Sequence, residues 1–148
     1  MKNFKLTIEY DGTDFNGWQI QKEGRTVQGQ IEAALTVMTR QQVRVIGSGR
    51  TDAGVHALGQ VASFKCATRL GPDDFISGLN GLLPADIVIT NCITAGERFH
   101  ARFDAKQKTY RYRIMNRPLP AAVGRRYAWH VRQPLNLTAM RKAAESLL

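Results

Sequence analysis

Close to the N-terminus Phe4, Leu6, Ile8 and Tyr10 alternate with Lys5, Thr7 and Glu9. Successive side chains of an extended chain point to opposite faces, so this pattern fits a strand with one buried face and one wet one. A helix would scatter the same residues around its circumference. Asp11-Gly12 stops the strand with a turn. Whatever follows has to cover the apolar side of that strand.

The remaining elements can be read in the same way. Thr26 is placed to cap a helix whose apolar residues Val27, Ile31, Leu35 and Met38 recur at helical spacing, with Gly29 weakening it. Val43–Ile46 and Val61–Cys66 are β-branched or apolar runs on either side of a glycine-rich loop. Asp73 or Asp74 is expected to cap a second helix carrying Phe75, Ile76 and Leu79, which Gly81 and Pro84 end before the strand-like Ile87-Val88-Ile89. Further on, Tyr110, Tyr112 and Ile114 share one face of a predicted strand, a packing face, while Arg111 and Arg113 share the other. Tyr127–Val131 suggests one more strand, and Asn136 caps a helix with Leu137, Met140, Ala144 and Leu147 along one stripe. No glycine or lysine closes that helix before Leu148, so it reads as cut short. The mixture without a βαβ rhythm predicts an α+β fold, an antiparallel sheet with flanking helices, in a single domain spanning residues 1–148.

Several function classes fall away on composition. No run approaches the ~20 apolar residues of a membrane-spanning helix, and Lys2 and Lys5 stand where a signal peptide would carry its apolar core. A cytoplasmic protein with no membrane partner is expected. Cys66, Cys92 and three scattered histidines make neither a disulfide framework nor a zinc spacing, so no metal is expected. Charge is more informative. The net charge is +9, and nine of the 21 Lys and Arg fall between Arg98 and Arg126, with Asp104 the one acid among them. A focused positive segment attracts a polyanion such as nucleic acid; a merely solvated basic face is the competing reading.

The loop from Gly47 to His56 admits three chemistries, and spacing tests two. A dinucleotide fingerprint from Gly47 needs glycine where Asp52 stands, which would set a carboxylate against a pyrophosphate. A Walker loop from Gly49 reaches Gly54 but has Val55 in place of its lysine. What remains is a loop presenting Arg50, Asp52 and His56. Asp52 is then either an ionised nucleophile or base, its charge favoured by a guanidinium such as Arg50, or a turn cap that accepts backbone N–H bonds.

Gly49-Arg50-Thr51-Asp52-Ala53-Gly54-Val55-His56-Ala57 resembles the signature of the TruA family of tRNA pseudouridine synthases. Companion stretches resemble that family in the same order: Tyr10-Asp11-Gly12 with Phe15-Asn16-Gly17-Trp18-Gln19, Leu83-Pro84 with Asp86-Ile87, Phe99-His100-Ala101-Arg102-Phe103, and Tyr110-Arg111-Tyr112. The resemblance implies an isomerase converting uridine to pseudouridine in the anticodon stem-loop of tRNA, with no cofactor and no metal, working as a homodimer. It implies that Asp52 is the catalytic aspartate and that Tyr110 lies against the target uracil. Arg50 and Arg102 are then expected at RNA phosphates or beside the aspartate. Tyr112, Phe15 and Trp18 are expected in the core, and His56 and His100 as partners of backbone carbonyls. The family's second half, with an arginine that partners the aspartate, has no counterpart here, and Leu82 departs from a frequent asparagine. The chain is therefore expected to be the N-terminal domain of such an enzyme, with weak turnover by itself. The alternative is a non-catalytic RNA-binding module that uses the basic 98–126 segment.

Overall fold

The computed structural model describes residues 1–146. The chain divides into two compact units, Met1–Gln107 and Lys108–Leu148. No glycine- or proline-rich linker marks the junction, which is why the sequence reads as one domain.

In the first unit, strands β1 (Lys2–Tyr10), β2 (Val45–Gly47), β3 (Ala57–Cys66) and β4 (Ile87–Ala95) form one sheet in the order β2-β3-β1-β4, every neighbouring pair antiparallel. Helices α1 (Val27–Thr39) and α2 (Pro72–Leu82) complete the α+β arrangement. The alternation in β1 does what it promised: Phe4, Leu6, Ile8 and Tyr10 are all buried. Register sets Phe4 opposite Phe64 and Leu6 opposite both Ala62 and Cys92. Val27, Ile31 and Leu35 of α1 and Phe75 and Leu79 of α2 close the same core. Phe4, Phe64 and Phe75 meet pairwise at 4.7–5.2 Å between ring centroids. Burying one such side chain is worth ~1.5–3 kcal/mol, so this layer is the main source of the unit's stability. Strands β3 and β4 run further than their apolar runs, because pairing with β1 carries their polar residues too.

The helix ends follow local chemistry. Thr26 caps α1 through its side-chain oxygen, which accepts from Gly29 N at 3.3 Å. The C-cap is Arg40, left-handed at φ 54°, where glycine is the usual residue. Neither Asp73 nor Asp74 is the N-cap of α2. Gly71 holds that position with Pro72 after it, and Asp74 reaches back to accept Gly71 N at 2.8 Å. Proline's fixed φ suits the first helical residue, so the helix starts earlier than the aspartates suggest.

Both outer strands of the sheet are met by helix side chains. At β2, Val45 N donates to Glu32 Oε1 at 2.8 Å and Val45 O accepts from Gln28 Nε2 at 3.1 Å. At β4, Ile89 N donates to Asn80 Oδ1 at 2.8 Å and Ile89 O accepts from Asn80 Nδ2 at 2.9 Å.

The second unit holds β5 (Ile114–Asn116), a 3₁₀ turn (Arg125–Tyr127), β6 (Trp129–Val131) and α3 (Leu137–Glu145). Here β5 and β6 pair in parallel. The stretch from Arg117 to Ala128 is the dozen or so residues that a parallel crossover needs. Asn116 fixes the arrangement, donating to Val131 O and Gln133 O and accepting from Leu135 N. Asn136 caps α3 as expected, accepting from Ala139 N at 2.9 Å; Leu147 lies outside the described residues. No described residue of this unit is buried. The expectation that Tyr112 packs in a core is therefore wrong: it is 86% exposed. The paired register begins only at Ile114, two residues beyond Tyr112, so no ladder partner sets which way the Tyr112 side chain points. Among the described residues, no helix is long and apolar enough to cross a membrane.

Candidate active site

The loop joining β2 to β3 lies on the backbone of the loop that follows β1. Trp18 N donates to Thr51 O at 3.0 Å, Gly54 N to Phe15 O at 3.3 Å, and Tyr10 OH lies 2.8 Å from Thr51 Oγ1. Gln60 Nε2 donates to Gly49 O at 2.8 Å, and Val55 N closes a turn onto Asp52 O at 3.2 Å. Two backbones can approach this closely only where side chains are missing. A Cβ on Gly12 would overlap the Val55 carbonyl, and one on Gly17, at φ +90°, would lie 2.5 Å from Thr51 O. Gly12 and Gly17 are thus part of the site's frame, a role that nothing local in the sequence reveals, because Gly12 meets Val55 and Gly17 meets Thr51, both far along the chain.

With its backbone held on both sides, the loop leaves the Asp52 side chain in solvent. Asp52 is exposed, and its carboxylate makes no hydrogen bond or ion pair with any described residue. The turn-cap reading of Asp52 therefore fails. Arg50 is exposed on the same loop, and it forms no ion pair with Asp52. Tyr10, under the loop, is buried; burial pushes its phenol upward, and hydrogen bonding to Thr51 and Gln60 offsets part of that rise. His56 Nδ1 stands 3.1 Å from Gly12 N and 3.0 Å from Asp11 Oδ1. An unprotonated Nδ1 accepts the amide, whereas a proton there would serve the carboxylate. Phe15 and Trp18 are core residues, each 2% exposed.

Arg102 sits on a second anchored turn. Ala101 is buried and its N–H donates to Ser63 Oγ on β3 at 3.2 Å, while Asn3 Nδ2 donates to Gly96 O and Phe99 O. His100 stacks on Phe103 at 4.3 Å, and its N–H donates to Asp104 Oδ2 at 2.8 Å. This leaves Arg102 exposed. Arg50, Asp52 and Arg102 thus all belong to the first unit, whereas Tyr110, 68% exposed, belongs to the second. Ser63 and Asn3, which hold the Arg102 turn, carry no signal in the sequence beyond being polar residues within strands. Among the described residues, no three His, Cys, Asp or Glu side chains cluster as metal ligands.

A model of the family described as tRNA pseudouridine synthase matches residues 6–104. That span contains Arg50, Asp52 and Arg102 and stops short of Tyr110. Curated relatives named tRNA pseudouridine synthase A are similar over almost the whole chain. One from Thermoanaerobacter sp. (strain X514) is 44% identical over 148 residues, covering 100% of this chain and 61% of its own. One from Ruminiclostridium cellulolyticum is 50% identical over 144 residues, covering 97% and 59%. One from Brevibacillus brevis is 49% identical over 148 residues, covering 100% and 61%. The chain spans about three fifths of the length of these relatives.

Proposed function

The chain belongs to the tRNA pseudouridine synthase family, and on that premise we propose that it is the Asp52-bearing domain of an isomerase that converts uridine to pseudouridine in the anticodon stem-loop of tRNA. The observation that carries this reading is the Asp52 carboxylate, exposed and without a partner among the described residues, on a loop whose backbone is fixed on both sides. The reaction breaks the bond from ribose to a ring nitrogen and forms one from ribose to a ring carbon, so the formula is unchanged and no redox partner or cofactor is required. It does require a group that attacks or deprotonates and stays ionised, and access for a base taken out of its stack. A carboxylate free in solvent meets both conditions.

Tyr110 supplies the aromatic face for the extruded uracil, and Arg50 and Arg102 contact RNA phosphate or orient Asp52. The excess of cations from Arg98 to Arg126 favours tRNA as the partner. The protein works in the cytoplasm as a homodimer. The 148-residue chain binds tRNA weakly and with steep salt dependence, and it turns over little without the part its relatives have beyond the match.

Pseudouridine mapping on unmodified tRNA tests this, comparing the chain, its Asp52→Asn variant, and a version extended to the full length of the relatives. Asp52→Asn is expected to keep RNA affinity and lose the product. An Asp52→Asn protein that forms pseudouridine as well as its parent refutes the assignment of Asp52, whereas RNA binding with no product from the parent, even when extended, leaves a non-catalytic RNA-binding module.

A further inference from the structure

Arg25 lies just before α1, far in sequence from Asp86 in the turn ahead of β4. Yet its guanidinium grips that carboxylate with two parallel bonds, Nη1 to Oδ2 at 2.6 Å and Nη2 to Oδ1 at 2.8 Å. The same guanidinium lies over Phe15, its Cζ 4.1 Å from the ring centroid. The backbones of all three residues are tied into the same region. Asn16 N donates to Arg25 O at 2.8 Å, Asp11 N to Asp86 O at 3.0 Å, and Gly54 N to Phe15 O. One ion pair thereby closes a ring through the loop after β1, the start of α1 and the turn before β4. Phe15 reaches the Asp52 loop through its carbonyl, which accepts from Gly54 N, two residues beyond Asp52.

We propose that the Arg25–Asp86 pair, resting on Phe15, is a positioning device that sets where the Asp52 carboxylate stands. The inference rests on the reading of Asp52 given above for its functional meaning, but not for its geometry. Both residues direct their side-chain hydrogen bonds at each other and not at Asp52. A bidentate pair over an aromatic face fixes direction as well as distance, which a lysine or an asparagine cannot reproduce. Both side chains are about one-third exposed, so the pair contributes little to global stability. Its effect falls on the loop that leans on it.

The test compares Asp86→Asn, Asp86→Glu and Arg25→Lys in the 148-residue chain by amide hydrogen exchange. Asp86→Asn is expected to speed exchange at Gly54 about fivefold, the order of one partly exposed charge pair, with the β1–β3 ladder unmoved and the melting temperature nearly unchanged. Asp86→Glu, which keeps the charge and the fork of oxygens, restores much of the protection; Arg25→Lys restores less. In single-turnover assays of the extended chain, Asp86→Asn slows pseudouridine formation while tRNA affinity stays within about twofold. Equal acceleration across the whole sheet would make the pair a general stabiliser, and unchanged exchange at Gly54 would remove the link; either result overturns the proposal. If Asp52→Asn retains full turnover, the reading of Asp52 fails on its own, and the exchange data still decide the clamp.

Discussion

Gly17→Ala is the sharpest single perturbation of the candidate site. Two costs add at this position. The residue sits at φ +90°, where any side chain is strained by about 1–2 kcal/mol. The new Cβ would also lie 2.5 Å from Thr51 O and 3.1 Å from the Asp52 carbonyl carbon, a backbone overlap that no rotamer relieves. Forced overpacking of this kind costs about 1–3 kcal/mol. The sum is about 2–5 kcal/mol, a large part of the 5–15 kcal/mol by which a domain is usually stable. Urea unfolding followed by tryptophan emission suits the question, because Trp18 is 2% exposed and Trp129 is 70% exposed. The blue-shifted component therefore reports the loop itself. Gly59→Ala is the control, since a Cβ there meets nothing within 4 Å; it is expected to be neutral or slightly stabilising. A Gly17→Ala protein within about 0.5 kcal/mol of its parent, with Trp18 emission unshifted, would show that the two loops do not press together as described.

Two further outcomes follow from groups away from the loop. Arg40→Gly relieves a left-handed cap and is expected to raise the unfolding midpoint by the equivalent of about 0.5–1 kcal/mol, measured by urea titration. Burial, aided by nearby Asp73 and Cys66, pushes the Cys92 thiol up to about 11. A raised thiol favours the neutral form in the folded state, so its contribution is intact below the ordinary thiol value and is lost as pH climbs from about 9 towards 11. Thermal midpoints of the parent should therefore fall more steeply over that window than those of Cys92→Ala; parallel curves would contradict the assignment.

What could be read from the sequence was whatever repeats locally. Phe4 to Tyr10 declare a half-buried strand, Thr26 declares a helix start, and Asn136 another, because each signal lies within a few residues of its effect. The Asp52 loop was legible as a presenter of a carboxylate because glycine excludes regular structure. Its anchorage was not, since Gly12 and Gly17 acquire meaning only against Val55 and Thr51. Tyr112 shows the opposite failure: its alternation with Arg111 and Arg113 has strand period, but period alone does not supply a neighbouring strand. The parallel pairing of β5 with β6 was hidden for a related reason, as strand direction is set by the connecting path and not by either strand's residues. Gly71 has no side chain to advertise its role as a helix cap, while Asp74 does its work from inside the helix.

Open sheets invite growth at their margins, since an unpaired peptide there offers a donor and an acceptor to any passing extended chain. Glu32 with Gln28 on one rim, and Asn80 on the other, imitate the strand that is not there, each pair of side-chain groups answering one peptide in both directions. Lateral recruitment through Val45 or Ile89 would first have to evict an intramolecular rival already in place. Four antiparallel strands are thus a finished width at those two peptides, and crowding many copies together does not by itself lengthen the sheet through them.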